Sequence, residues 1–158
     1  EMVSFEELLS TSDVVSLHTP LTKETEDLID NDALSRMKSD SILVNTSRGS
    51  VVNTAALAKA LRSGKIAAAG IDVLPIEPAS EDEPLIQLWR EADERNVNLI
   101  ITPHTAFYSA EAMLEIRTKT AMEVARALRG EKLVNCVNSQ WLSNDVRRRV
   151  LVGIPPTL

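Results

Sequence analysis

Five side chains suited to anion and proton chemistry stand just after short apolar runs: His18, Arg48, Asp72, Glu77 and His104. Arg48 follows Ile42-Leu43-Val44-Asn45-Thr46-Ser47 and precedes Gly49. Its guanidinium is planar and permanently charged, so it can grip a carboxylate or phosphate with two parallel hydrogen bonds. His104 follows Ile101-Thr102-Pro103. An imidazole with an ordinary pKa of about 6.5 gives and takes a proton near neutrality. An acid beside it would fix its tautomer and raise its pKa. Glu77, in the loop after the third apolar run, is a candidate. Each residue also has a plainer reading. Arg48 could be a surface charge in a loop, and His104 a structural histidine after a proline. Glu77 could be one more exposed acid beside Glu81, Asp82 and Glu83, and Asp72 the partner of a loop amide.

Position separates these readings. Predicted strands cover Val14–Leu17, Ile42–Asn45, Ala67–Val73 and Leu99–Ile101, each a short apolar run bounded by turn residues. Small residues dominate the third, so a helix is a rival reading there; the preceding Gly64 stop and the spacing favour a strand against which neighbours pack closely. Predicted helices fall between the strands. One lies around Glu6–Ser10, one starts at a cap on Asn31, and one starts at Asn53, with Leu57 and Leu61 on one face and Gly64 as its stop. Pro84 opens another, with Leu85, Leu88, Trp89 and Ala92 on one stripe. The longest runs from near Ser109 to Gly130, and Met113, Ile116, Val124 and Leu128 supply its buried face. Strands alternating with helices imply a parallel sheet of strands buried on both faces, with helices packed on each. In such a sheet the carboxyl ends share one edge, where ligands bind. His18, Arg48, Asp72 and His104 then converge on one crevice.

Composition narrows the function classes. The chain has 158 residues, enough for one domain with a sizeable core, and its net charge is −6. That balance argues against nucleic-acid binding, which needs a basic face. No apolar run reaches the ~20 residues that span a bilayer, and no signal peptide opens the chain. Cys136 is the only cysteine, so no internal disulfide forms, and two histidines without clustered partners leave no metal site. A reducing, cytoplasmic setting is expected. The chain opens abruptly on Glu1-Met2-Val3 before a capping pattern at Ser4-Phe5-Glu6-Glu7, and is expected to be a piece of something longer. Arg147–Arg149 and Pro155-Pro156 read as a solvated tail.

Four segments occur in order: His18-Thr19-Pro20-Leu21-Thr22, Asn45-Thr46-Ser47-Arg48-Gly49, Gly70-Ile71-Asp72-Val73-Leu74-Pro75-Ile76-Glu77-Pro78 and Ile101-Thr102-Pro103-His104. Together they resemble the NAD-dependent D-2-hydroxyacid dehydrogenases, over about Glu6 to Asn138. The run from His104 to Ser109 and Asn135-Cys136-Val137-Asn138 look most like the branch containing the C-terminal-binding-protein corepressors. The resemblance implies that Arg48 binds the substrate carboxylate, that His104 protonates the carbonyl oxygen, and that Glu77 keeps His104 protonated. It implies that Asp72 bonds the nicotinamide carboxamide, and that Thr19, Pro20, Thr25, Thr46 and Ser47 lie along NAD, which Arg48 and His104 also contact. It implies a small 2-oxo or 2-hydroxy acid as substrate and a homodimer for the full-length form.

The expected fold is α/β, the second half of a doubly wound, Rossmann-type NAD-binding domain. Residues 1–130 would belong to that domain, and 131–158 would return toward a substrate domain. One part of the family pattern is missing. The five glycines, at 49, 64, 70, 130 and 153, cannot make the G-x-G-x-x-G turn that holds a pyrophosphate, nor is the ribose-binding acid that would follow that turn present. A second departure is Leu85–Asn98, longer and more helical than the loop usual there. Two rival readings stand beside the enzyme. One is an NAD-binding, corepressor-like scaffold with a nuclear location, and the other an inactive truncated product. The missing turn predicts that the 158 residues alone neither bind NADH nor turn over 2-oxo acids, and that they self-associate.

Overall fold

The structure is a computed structural model and describes residues 1–91 and 97–141. The chain divides into two compact units, Glu1–Ala106 and a second that begins at Phe107. In the first unit four strands, β1 (Val14–Leu17), β2 (Ile42–Asn45), β3 (Ala68–Ile71) and β4 (Asn98–Ile101), form one parallel sheet in the order β1-β2-β3-β4. Helix α1 (Phe5–Thr11) precedes β1, and between the strands run α2 (Asn31–Arg36), a 3-10 turn at Gly49–Val51, α3 (Thr54–Arg62) and α4 (Pro84–Arg90).

Local chemistry sets the helix starts. Asn53 accepts a hydrogen bond from the Ala56 N–H and caps α3, as predicted. Pro84 takes the first position of α4, where a missing N–H costs nothing. The cap of α2 is Asp30, whose carboxylate accepts from the Ala33 N–H, and Asn31 is the first helical residue rather than the predicted cap. An aspartate in extended backbone with an N–H in reach outcompetes its neighbour, which is already wound into the turn.

The core lies on one face of the sheet. Val15, Leu17, Leu43, Ala69, Ile71 and Leu99 pack there against Leu9 of α1, Leu34 of α2, Leu57 and Leu61 of α3, and Leu85 and Leu88 of α4. The strands accordingly alternate buried residues with exposed or half-buried ones, apart from the half-buried Ile101 that ends β4. This corrects the expectation of strands buried on both faces. Val14 (55%), Ile42 (38%) and Ile100 (69%) are exposed on the opposite face. Nothing lies within 4 Å of the position a Cβ would take at Gly70, so close packing does not explain the small residue there. Trp89 is half exposed, off the buried stripe of α4, and Ala92 lies outside the described residues.

The second unit contains α5 (Ala110–Arg129), capped by the Ser109 hydroxyl and ended by Gly130 in left-handed backbone, as expected. No residue of α5 is buried, which corrects its expected buried face: Ile116, Val124 and Leu128 are exposed and Met113 is half-buried. Glu123 accepts from the Val134 and Asn135 N–H groups and pins the segment that follows to the helix. The Arg147–Arg149 tail lies outside the described residues.

Candidate active site

The register places the site. Leu17, Asn45, Ile71 and Ile101 are partners across the sheet, so all four strands end on one row. His18, Thr46, Asp72 and Thr102 each follow directly, and Arg48 and His104 stand two residues beyond on β2 and β4. Adjacent strands are about 4.8 Å apart, which puts the turns bearing Arg48 and His104 roughly 10 Å apart with β3 between them.

Each turn is held by a side chain buried at its strand's end. Asn45 is fully buried. Its Oδ1 accepts from the Ser47 N–H (3.0 Å) and hydroxyl (2.9 Å), while its Nδ2 donates to the Arg48 carbonyl (2.9 Å). The β2 turn therefore leaves the sheet in one conformation, with Arg48 exposed at its tip and an Nη1 donating to the Ser47 carbonyl. Asp72, 4% exposed, does the same for the β4 turn. Its Oδ1 accepts from the Thr102 hydroxyl and the Thr105 N–H, and its Oδ2 from the Ala106 N–H. The Asp72 carbonyl accepts from the His104 N–H at 2.8 Å. These bonds hold His104 at φ 53°, a left-handed conformation that a non-glycine residue adopts at a cost.

That conformation brings His104 to Glu77. Its Nδ1 lies 2.7 Å from Glu77 Oε2, and Glu77 Oε1 accepts from the Leu74 N–H at 3.0 Å. The bonds from His104 and then from Leu74 outweigh burial and hold the Glu77 carboxyl below its ordinary range, so it is a carboxylate at neutral pH. Nδ1 faces the acid, and Nε2 lies on the opposite side of the ring. Beside the pair is a cavity of about 420 Å³ lined by Leu74, Pro78, Ile86, Trp89 and Pro103, so α4 contributes an aromatic wall.

His18 shares the edge but not the pair, since its Nε2 lies 2.9 Å from the Ser16 hydroxyl. The Thr25 hydroxyl donates to the Pro20 carbonyl and accepts from the Thr22 N–H, so Thr25 shapes the loop that carries Thr19 and Pro20. Thr46 is exposed and Ser47 half-buried at the head of the Arg48 turn. Sequence reasoning overlooked Asn45 and Thr102 as organisers of the site. An Asn at a strand end before a polar turn was the available signal for the first. The second could not be found without knowing that Asp72 and Thr102 are neighbours.

The first unit coincides with a family match. Residues 1–106 match the model of the D-isomer specific 2-hydroxyacid dehydrogenase NAD binding domain. The chain belongs to this family. A glyoxylate reductase from Korarchaeum cryptofilum is 44% identical over 140 residues, which are 89% of this chain and 40% of that protein. A D-3-phosphoglycerate dehydrogenase from Archaeoglobus fulgidus is 39% identical over 138 residues, 87% of this chain and 25% of that one. Among solved structures, a D-lactate dehydrogenase from Aquifex aeolicus complexed with NAD and lactic acid superposes with a TM-score of 0.72 at 37% identity. That match covers 82% of this chain and 41% of the other. The chain therefore spans less than half the length of the relatives it matches.

The residues present fit part of an NAD site. Thr19 Oγ1 is buried without a hydrogen-bond partner, an orphan a bound polar group would satisfy. Among the described residues no cluster could hold a metal ion, and no helix is long and apolar enough to cross a membrane.

Proposed function

We propose that Arg48, Glu77 and His104 form the carboxylate-binding and proton-transferring part of a dehydrogenase site that interconverts 2-oxo acids and D-2-hydroxy acids. The observation that carries this reading is the 2.7 Å contact between His104 Nδ1 and Glu77 Oε2, on the sheet edge that also bears Arg48. NAD, when bound, supplies or accepts the hydride. The chain's own residues do the rest. Arg48 holds the substrate carboxylate with two parallel hydrogen bonds and so fixes the direction of the 2-oxo group. His104, oriented through Nδ1, presents Nε2 to the carbonyl oxygen, donates a proton in reduction and takes it back in oxidation. Glu77 holds the His104 ring through Nδ1 and so fixes the direction of its other nitrogen. Asp72 supports the His104 turn, and Oδ2, with one bond from Ala106, keeps a lone pair for the carboxamide. Thr19, Pro20, Thr25, Thr46 and Ser47 line the cofactor's path. A cytoplasmic setting and a homodimeric full-length form complete the reading.

The test is turnover of a panel of 2-oxo acids by the full-length protein with NADH. Arg48→Lys should lower kcat/KM about 10–100-fold, as expected for the loss of a charged, bidentate grip, with NADH affinity little changed. Glu77→Gln should lower kcat/KM and leave NADH affinity little changed, because the His104 ring loses the carboxylate that fixes its direction. A protein that binds NADH but reduces no 2-oxo acid would sink the enzymatic reading.

A further inference from the structure

Gly49 follows Arg48 and opens the 3-10 turn Gly49–Val51, and it is buried. It is not among the residues with positive φ, which for glycine are Gly64 and Gly130, so any residue could adopt its backbone. What it lacks is room. A Cβ built at Gly49 would sit 2.0 Å from the Leu74 carbonyl carbon, 2.3 Å from the Leu74 oxygen and 2.3 Å from the Pro75 nitrogen. All three are backbone atoms, which cannot swing aside as the tip of a side chain can.

The peptide it touches leads to the proton donor. The Leu74 N–H donates to Glu77 Oε1, and Glu77 Oε2 meets His104 Nδ1. On the other side Gly49 is one bond from Arg48, whose carbonyl Asn45 holds. One glycine contact thus joins the turn that carries the anion grip to the loop that carries the acid. We propose that Gly49 is a positioning residue: having no side chain, it seats the Arg48 turn directly on the Leu74–Pro75 peptide and so sets the spacing between Arg48 and the Glu77–His104 pair. The catalytic part of this rests on the function proposed above; the structural part does not.

Any side chain at 49 must push the Leu74–Pro75 peptide away, carrying Glu77 with it, or push Arg48 off its seat. Gly64 offers the control. Its φ is +68° with nothing within 4 Å of a Cβ, so alanine there strains the backbone without touching the site.

The experiment compares Gly49→Ala, Gly64→Ala and Glu77→Gln in the full-length protein. Two quantities are read: the ring-nitrogen NMR shifts of His104, identified by their loss in His104→Gln, and kcat/KM. In Gly49→Ala the preference for a proton on Nδ1 should weaken, as is expected in Glu77→Gln. Its kcat/KM should fall on the order of 100-fold, the scale of a 1 Å misplacement. Gly64→Ala should leave both unchanged while lowering the melting temperature. A folded Gly49→Ala protein with wild-type shifts and wild-type kcat/KM overturns the proposal. If Gly49→Ala does not fold, Pro75→Gly decides, since it loosens the same peptide without a clash. Reduced Nδ1 preference there supports the proposal, and wild-type shifts overturn it. The ring shifts test Gly49 even if no 2-oxo acid is turned over, so the two readings fail separately.

Discussion

Burial alone would push the Asp72 carboxyl upward, yet hydrogen bonds from Thr102, Ala106 and Thr105, with the nearby His104, hold it below its ordinary range. The group is worth more to the fold ionised than protonated, and the sign of its pH effect follows. A carboxyl whose folded pKa is depressed contributes stability that is complete above its unfolded pKa and lost as pH falls through the folded one. The β4 turn should therefore loosen below the ordinary aspartate range, before the sheet does. Amide exchange at Thr105 and Ala106 checks this, and protection that survives below that range would contradict it. Asp72→Asn presents an amide where two N–H donors need oxygens. A loss of about 2–3 kcal/mol is expected in chemical denaturation, the scale of buried hydrogen bonds to a charged group. Uncoupling of His104 from Glu77 should accompany it.

At the scale of elements, α3 is the helix that carries the sheet's covered face. Ala56, Leu57, Ala58, Ala60 and Leu61 are all buried on it, and Leu57 is fully enclosed. The hydrogen bond from Asn53 to Ile29, with those from Asp27 to Ser50 and from Ile29 to Val51, ties the start of α3 and the turn after Arg48 to the loop from Thr19. Leu57→Ala should cost about 2–5 kcal/mol, because the surrounding core cannot close fully on the space left. Thermal unfolding measures the loss, and a shift of less than a degree would mean that α3 repacks freely. In α5 the weight lies on the caps, since no residue of that helix is buried. Ser109→Ala should remove about 1 kcal/mol of helix stability, visible as fraying of the first turn in amide exchange.

At the scale of the molecule, the chain presents an apolar sheet face and an edge at β1 that has no partner strand among the described residues. Val14 and Ile42 are register partners on that face, and Ile100 is exposed on it from β4; all three are large. Such a surface favours association between copies. The 158-residue chain should sediment as concentration-dependent oligomers, and a monodisperse monomer would contradict this. The chain also has no G-x-G-x-x-G turn to present backbone N–H groups to a pyrophosphate. NADH should then bind it without measurable affinity, and a micromolar dissociation constant by calorimetry would mean that the phosphates are held some other way.

The parallel sheet, the strand ends and the polar residues beyond them were readable from the sequence because each is a local signal. Apolar runs of strand length, caps at Asn53 and Ser109, and a glycine stop at Gly130 need no distant partner to be recognised. Glu77 was a candidate partner for His104 from its place in the loop, but only the family resemblance chose it over its plainer reading, since 27 residues separate the two and Glu77 sits among similar acids. Three things were decided by tertiary structure alone. Asp72 became the organiser of the β4 turn because parallel pairing of β3 with β4 puts Thr102, Thr105 and Ala106 around it. Which strand face is covered depended on where α1 to α4 pack, and the composition of β2 and β4, apolar on both faces, carries no mark of it. Gly49 lacks room for a side chain only because the Leu74–Pro75 peptide lies against it, a contact between segments 25 residues apart that neither segment signals by itself.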